Sequence, residues 1–409
     1  MGRTASEWGQ KPPFPETHYV DSLVYTDEGI FEEEKEKIFA KTWMMACHES
    51  EVPEPNDYRT YHHPAGVNLI VVRGEDGEIR SFYNVCPHRG NTILYDPSGN
   101  AKRMTCIFHA WSFDYRGNCV GLPREKAGYC SEDGCSITRD DLGLREVKTQ
   151  VAYGGFVYVN LDDDCGPLED HIGHALDSMI EEIDTEPLEV FAYHRAVINT
   201  NYKLWHDTNS EFYHDYLHVH NRLTSMKQEG YFDRKMTPFP NGHAEVGSHE
   251  VHYEAYEGGG KSREDATFPG MVGNQWYLID LFPGYSYNLR ASVLRVDSQI
   301  PLGPNKTIIE YRSLGLKSDT EEQRRQRVKD NIVIWGPFGR NLHEDLLAAS
   351  GQGRAIPNGS RYVLHGREEN STIHDEIGMR HFYEEWSKRI GRLASDPAKR
   401  IAAEKSAKA

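Results

Sequence analysis

Cys86-Pro87-His88 and, after seventeen intervening residues, Cys106-Ile107-Phe108-His109 set two thiols and two imidazoles in the order C-x-H…C-x2-H. Two short loops can therefore bring two thiolates and two neutral imidazoles to one centre. Thiolates on one iron and imidazoles on the other hold a [2Fe–2S] cluster, with a potential well above that of an all-cysteine cluster. Zinc also accepts two cysteines and two histidines, but its finger sites keep the cysteines together and the histidines together. Here each loop mixes one of each. The spacing points to the cluster, with structural zinc as the alternative. Such a cluster moves electrons singly, so another site must use them.

A second concentration of ligands runs from Asp207 to His220. Its fourteen residues hold His214, His218 and His220 with Asp207, Glu211 and Asp215. Two imidazoles and one carboxylate on one face of a metal make the facial triad of non-haem Fe(II) oxygenases, which leaves positions open for O2 and substrate. Alone, the stretch reads equally well as a solvated polar helix face; beside a source of single electrons, the iron reading is the stronger. His218 lies four residues after His214 and shares its helix face.

The segments Tyr83–Gly90 and Cys106–Asp114 closely resemble the two cluster-binding loops of Rieske non-haem iron aromatic-ring-hydroxylating oxygenases, large (alpha) subunit. Pro87 and Gly90 suit tight loops whose N–H groups turn toward cluster sulfurs, and Trp111 and Phe113 would shield the cluster from water. The resemblance continues through Asp207-x3-Glu211-x2-His214, with Glu where the family has Asp. It makes His214 the first iron ligand. The five-residue form of the family motif favours His220 as the second, and His218 is the i,i+4 alternative. Aligned on Gly336-Pro337, the late segment puts Asp345 on the third ligand position and Glu344 just before it. Asp207 and Glu211 are the implied catalytic acids, with Glu211 bridging His109 of an adjacent subunit to His214.

By the same resemblance the chain needs a Rieske [2Fe–2S] cluster, a mononuclear non-haem Fe(II) and O2 as co-substrate. Its implied partners are an NAD(P)H reductase, a ferredoxin in some systems, two further alpha subunits in a head-to-tail trimer, and in some members a small beta subunit. The leading substrate class is an aromatic acid, hydroxylated to a cis-diol or a phenol. The alternatives are a monooxygenase acting by demethylation or on sulfonates or quaternary amines, and a non-catalytic Rieske carrier. Arg290, Arg295 and Arg340 are candidates to pair with an anionic substrate; none is assigned.

With 46 Lys+Arg against 63 Asp+Glu, the net charge of −17 argues against nucleic acid. No run of eighteen apolar residues occurs, so no membrane span is expected. Met1–Trp8 lacks the apolar stretch of a secretory signal, and a cytoplasmic location is expected. Of seven cysteines, Cys47, Cys119, Cys130, Cys135 and Cys165 remain beside the cluster pair and are expected as free thiols. A second metal site at Cys130 and Cys135 is the weaker reading.

The elements that must position these groups fall into an α+β class: a small all-β domain and a helix-grip-like catalytic domain with an antiparallel sheet. The expected boundaries are 1–42, an N-terminal segment packing on the catalytic domain; 43–162, the cluster domain; and 163–409, the catalytic domain. Val67–Arg73 and Gly154–Leu161 read as strands, with turns at Gly74–Gly77 and Phe113–Asn118. Helical patterns cover 168–184, 203–220, 319–334 and 374–391, the third opened by Ser318-Asp319-Thr320. Strand-like runs cover Val251–Tyr256, Asn274–Leu281, Tyr285–Ile300 and Lys306–Gly315.

Overall fold

The computed structural model describes residues 4–250, 265–272, 275–290, 292–336, 339, 341–366 and 376–401. The expected strand Val251–Tyr256, Arg340, the first residues of the 374–391 helix and the end of the tail lie outside them. The chain divides into two compact units, Phe39–Leu168 and Met1–Ile38 with Glu169–Ala409.

In Phe39–Leu168 the strands are Met44–His48 (β1), Asp57–His63 (β2), Val67–Arg73 (β3), Ile79–Tyr83 (β4), Ser98–Asn100 (β5), Met104–Thr105 (β6), Ser112–Phe113 (β7), Cys119–Gly121 (β8), Cys130–Ser131 (β9), Gly134–Cys135 (β10), Glu146–Ala152 (β11) and Phe156–Asn160 (β12). Seven form an antiparallel sheet in the order β1-β12-β11-β4-β3-β2-β5, and β6-β7-β8 form a second sheet. Ile70, Val72 and Phe82 meet Met104, Trp111 and Phe113 in one buried core, which also takes in Cys86 and Cys106. The cluster cysteines are thus rooted in the core. Cys130 and Cys135 correct the free-thiol expectation: they are directly opposed across the β9–β10 hairpin and form a disulfide, Cα–Cα 3.9 Å. The hairpin register brings them together, which a count of cysteines could not reveal. Cys47, Cys119 and Cys165 form no disulfide.

The second unit is built on Leu188–Ile198 (β13), Met236–Phe239 (β14), His243–Glu250 (β15), Gln275–Leu281 (β16), Tyr285–Arg290 (β17), Val293–Gly303 (β18) and Lys306–Leu316 (β19). They form one antiparallel sheet in the order β13-β19-β18-β17-β16-β15-β14. Its helices include Glu28–Lys37 (α1), Tyr202–Ser210 (α2), Val219–Leu223 (α3), Glu321–Trp335 (α4), Leu342–Ala355 (α5) and Ile377–Ile390 (α6). The N-cap of α4 is Thr320, in a capping box with Gln323. Helix α2 lies on β16 and β18 and touches α5 and α6.

Directly opposed residues share a sheet face, as do residues two apart. The register Asp280–Ser286–Asp297–Tyr311 and Asn288–Arg295–Ser313 therefore puts a polar row on one face of a buried sheet. Side chains of α2 cover it: Trp205 Nε1 donates to Asp297 (3.1 Å), His206 Nε2 lies 3.0 Å from Asp280, and Asn209 donates to Ser286 (3.3 Å). These three contacts offset part of the cost of burying the row.

The expected helix over 203–220 is broken. After Ser210, Glu211 is extended (φ −150°, ψ 157°), Tyr213–Leu217 is a 3-10 turn, and His218 (φ −74°, ψ 110°) precedes α3. Glu211 causes the break locally, because its carboxylate accepts the His214 N–H (3.1 Å) as a side-chain cap does. The 168–184 pattern is likewise split, into Leu168–Ile172 and Ile180–Asp184, with Gly173 at φ +55° between them. The Tyr285–Ile300 run turns between β17 and β18.

Candidate metal centres

Both cluster loops use one backbone device. Cys86 N donates to Asn91 O (2.8 Å) and Gly90 N to Cys86 O (2.9 Å); Cys106 N donates to Trp111 O and Ala110 N to Cys106 O, both 2.9 Å. The fourth residue after each cysteine is left-handed, Gly90 at φ +71° and Ala110 at φ +58°. Glycine meets that need without strain and alanine does not. Asn84 pins the first loop, accepting from Ile93 and Leu94 at 3.0 Å.

The four side chains converge. The His88 and His109 rings are 4.4 Å apart, and Trp111 stacks on His88 at 4.4 Å and 8°. Cys86 and Cys106 both lie in the buried core of this unit. Burial raises the Cys86 pKa above the ordinary thiol value. At Cys106 burial acts the same way, but the Phe108 N–H and the Asn91 amide (3.6 Å from Sγ) outweigh it and lower the pKa. Amide donors aimed at sulfur, with a buried His88 Nδ1 that has no hydrogen-bond partner, fit a Cys2His2 iron–sulfur cluster.

In the other unit His214, His218 and Asp345 bring one ligand atom each within 4.8 Å of one another. His214 Nε2 lies 3.8 Å and His218 Nε2 3.3 Å from Asp345 Oδ1, which is buried with no hydrogen-bond partner. Metal–ligand bonds of about 2.1 Å put neighbouring ligands roughly 3 Å apart, so a small contraction would close this set on an ion. Each histidine is held from behind by a carboxylate. Glu211 Oε1 is 2.8 Å from His214 Nδ1, and Glu344 Oε2 is 2.7 Å from His218 Nδ1. Such partners fix the tautomer and leave Nε2 for the metal. Burial disfavours the His214 imidazolium, but Glu211, then Asp345 and Asp215, overcome this and raise its pKa to about 10. Burial raises the Asp345 pKa, against His218, His214 and Arg295. Two histidines and one carboxylate fit a facial-triad iron.

The remaining candidates fall elsewhere. His220 is exposed on α3, outside this group. His218, the i,i+4 alternative, takes the place that the five-residue spacing gave to His220. Glu344 orients His218 rather than joining the group. Asp207 is buried and accepts from Tyr383 OH (3.1 and 3.2 Å), which also reaches Tyr25 (2.8 Å). Burial, opposed by Tyr383, raises its pKa well above the carboxylate range. It ties α2 to α6 through Tyr383. Asp215 accepts from Asn221 (3.1 Å), Tyr231 and Arg234 (3.3 Å), which secures the turn carrying His214.

Next to the triad the polar sheet face carries groups that sequence reasoning left unassigned. Phe212 packs edge-on against Trp276 (5.4 Å), and Trp276 donates to Asn288 (2.8 Å). The Arg290 and Arg295 guanidiniums lie 4.6 and 4.0 Å from the Trp335 ring centre. The available signal was charge at every second position within an otherwise apolar strand, Asn288 and Arg290, then Arg295 and Asp297.

Among the described residues no helix is long and apolar enough to cross a membrane. Residues 42–146 match the Rieske [2Fe-2S] domain and 185–392 the ring hydroxylating alpha subunit catalytic domain. The chain is 52% identical over 406 residues to the methanesulfonate monooxygenase hydroxylase subunit alpha of Methylosulfonomonas methylovora, covering 97% of this chain and 96% of that one. It is 42% identical over 397 residues to the 2-aminobenzenesulfonate 2,3-dioxygenase subunit alpha of an Alcaligenes species, covering 97% and 99%. Naphthalene 1,2-dioxygenase from Rhodococcus shares the fold, with TM-score 0.76 at 21% identity over 91% of this chain and 94% of that one. A cluster-ready domain, an iron-ready helix-on-sheet domain and relatives along the full length have one reading: the chain belongs to the Rieske ring-hydroxylating oxygenases, as an alpha subunit, an O2-using oxidoreductase carrying a [2Fe–2S] cluster and a non-haem iron and fed electrons by a partner protein.

Proposed function

We propose that the chain is the terminal component of a sulfonate oxygenase, with a small alkanesulfonate as the foremost substrate. The carrying observation is that both full-length relatives above are named for a sulfonate. That favours the sulfonate alternative over the aromatic acid that led the sequence reading. The buried Arg295 and the half-buried Arg290, both on the Trp335 ring, agree with it. In this reading Cys86, Cys106, His88 and His109 hold the cluster, and His214, His218 and Asp345 hold the iron. The expected domain limits, 43–162 for the cluster and 163–409 for catalysis, stand as part of it.

When bound, the two centres together supply reduced oxygen chemistry at the iron. The chain's own groups do the rest. Glu211 and Glu344 hold the ligand histidines in one tautomer, and the sheet face under α2 orients the substrate. Oxidation of methanesulfonate would consume O2, two electrons and two protons and give hydroxymethanesulfonate and water; the product breaks down to formaldehyde and bisulfite. Electrons pass between subunits in this reading. Ile107 (74% exposed) and Phe108 (55%) at the cluster loops, and Tyr213, Tyr216, Leu217 and Val219 beside the triad, are exposed apolar groups suited to facing one another in a head-to-tail trimer. Each Glu211 oxygen binds His214 once, leaving lone-pair capacity for a neighbour's His109.

The test is NADH-driven turnover with a partner reductase on methanesulfonate, 2-aminobenzenesulfonate, benzoate and carnitine. Sulfite release with matched NADH and O2 uptake on a sulfonate supports the reading. Coupled turnover on benzoate or carnitine alone overturns it.

A further inference from the structure

Three hydrogen-bond donors stand together on the sheet face beside the triad: the Arg295 guanidinium, Trp335 Nε1–H and the Tyr311 hydroxyl. All are buried, at 3%, 3% and 0% exposure. Arg295 ties them together, with its guanidinium 4.0 Å from the Trp335 ring centre and 5.7 Å from that of Tyr311. Tyr311 packs in one cluster with Leu342 and Leu346, the α5 residues that flank Asp345. Trp335 packs with Phe212 and Trp276, two residues before His214 along the chain at Phe212. The donors therefore border the triad from two sides.

Two of these donors are unsatisfied. Trp335 Nε1 and Tyr311 OH are buried with no hydrogen-bond partner. A buried donor without a partner costs about 1–3 kcal/mol, and a fold rarely carries two in one place without use. Arg295 meets Asp297 through one oxygen only, with Nε and Nη2 both 3.1 Å from Oδ1. Asp297 Oδ2 is occupied by Trp205 Nε1. The Arg290 guanidinium also lies on the Trp335 ring. A guanidinium beside an indole N–H and a phenol, the last two without partners, suits a compact oxyanion that accepts from several directions.

We infer that Arg295, Trp335 and Tyr311 form the anion subsite, taking the oxygens of the substrate's sulfonate and holding its neighbouring carbon toward the triad. This rests on the sulfonate reading and names the residues that read the sulfonate. Trp335→Phe and Tyr311→Phe each delete one unpartnered polar atom and keep the ring, so no protein hydrogen bond is lost. Arg295→Met removes the charge at similar length.

The experiment uses the holoenzyme with its reductase, first confirming sulfite release from methanesulfonate by the wild type. Calorimetric titration of methanesulfonate, and KM against kcat, are then compared across the variants. W335F and Y311F are each expected to weaken binding about tenfold, with KM rising in step and kcat at saturation within about threefold. R295M is expected to weaken it a hundredfold or more. Dimethyl sulfone, a neutral molecule of similar shape, should lose far less affinity than methanesulfonate in R295M, because it carries no charge for the guanidinium to pair. Unchanged methanesulfonate affinity in both W335F and Y311F, with wild-type sulfonate turnover intact, overturns the subsite and leaves the sulfonate reading standing. Failure of the wild type to oxidise any sulfonate overturns both.

Discussion

Glu344 offers a sharp test of how the iron site is held. Its Oε2 lies 2.7 Å from His218 Nδ1, fixing the proton there, while His218 Nε2 sits 3.3 Å from Asp345. Glu344→Ala removes a charge-assisted hydrogen bond worth about 1.5–3 kcal/mol. Converted at about 1.4 kcal/mol per factor of ten, iron affinity should fall roughly 10- to 150-fold, within the range for loss of an outer partner to a ligand histidine. Glu344→Gln keeps an acceptor and should lose less. The assay is competition for Fe(II) by a chromogenic chelator under anaerobic conditions, with the reduced-cluster EPR signal as internal control. The cluster is built from other residues, so its signal should persist. Wild-type iron affinity in E344A would refute the reasoning.

Further outcomes follow from other contacts. Glu211→Gln keeps an acceptor toward His214, so both metals should remain while coupled turnover drops at least tenfold; unchanged turnover removes the bridging role. A Cβ at Gly353 on α5 would lie 2.1 Å from the Asn199 carbonyl and 2.8 Å from Thr200 Cα, just ahead of α2. Gly353→Ala should cost about 1–3 kcal/mol in thermal unfolding, and a wild-type Tm would contradict that close packing. His243 is fully buried, taking the Phe282 N–H at Nδ1 (2.9 Å) and facing the His171 carbonyl at Nε2 (2.8 Å). Burial lowers its pKa from 6.5 to about 4. A base with its folded pKa depressed contributes stability that is full above pH 6.5 and is lost as pH falls toward 4. The loss is about 3 kcal/mol at 1.36 kcal/mol per unit. Denaturant midpoints across pH 4–7 should therefore slope more in wild type than in His243→Gln; equal slopes would contradict this.

Much of this molecule could be read from the chain because its chemistry is local. The cluster ligands sit in two short loops, and the Val67–Arg73 strand carries its pattern in neighbouring residues. What escaped depended on distant partners. His218 rather than His220 groups with His214 and Asp345: the i,i+4 alternative matches the geometry even though Glu211 ends the helix before it, and the five-residue spacing does not. The Cys130–Cys135 bond follows from hairpin register. Asp207 carries the right residue type at the right spacing, yet Tyr383 on α6 turns it into a strut. Arg295, Trp335 and Tyr311 come from three separate elements and meet only when β18, α4 and β19 are assembled.

The central claim is that one chain holds a cluster and, separately, an iron on His214, His218 and Asp345. Iron analysis with EPR before and after dithionite tests it on wild type, His218→Ala and His220→Ala. The account predicts about three irons per chain in wild type and H220A, about two in H218A, and a reduced-cluster signal in all three, averaging near g ~1.9. Loss of one iron in H220A with full retention in H218A would contradict it.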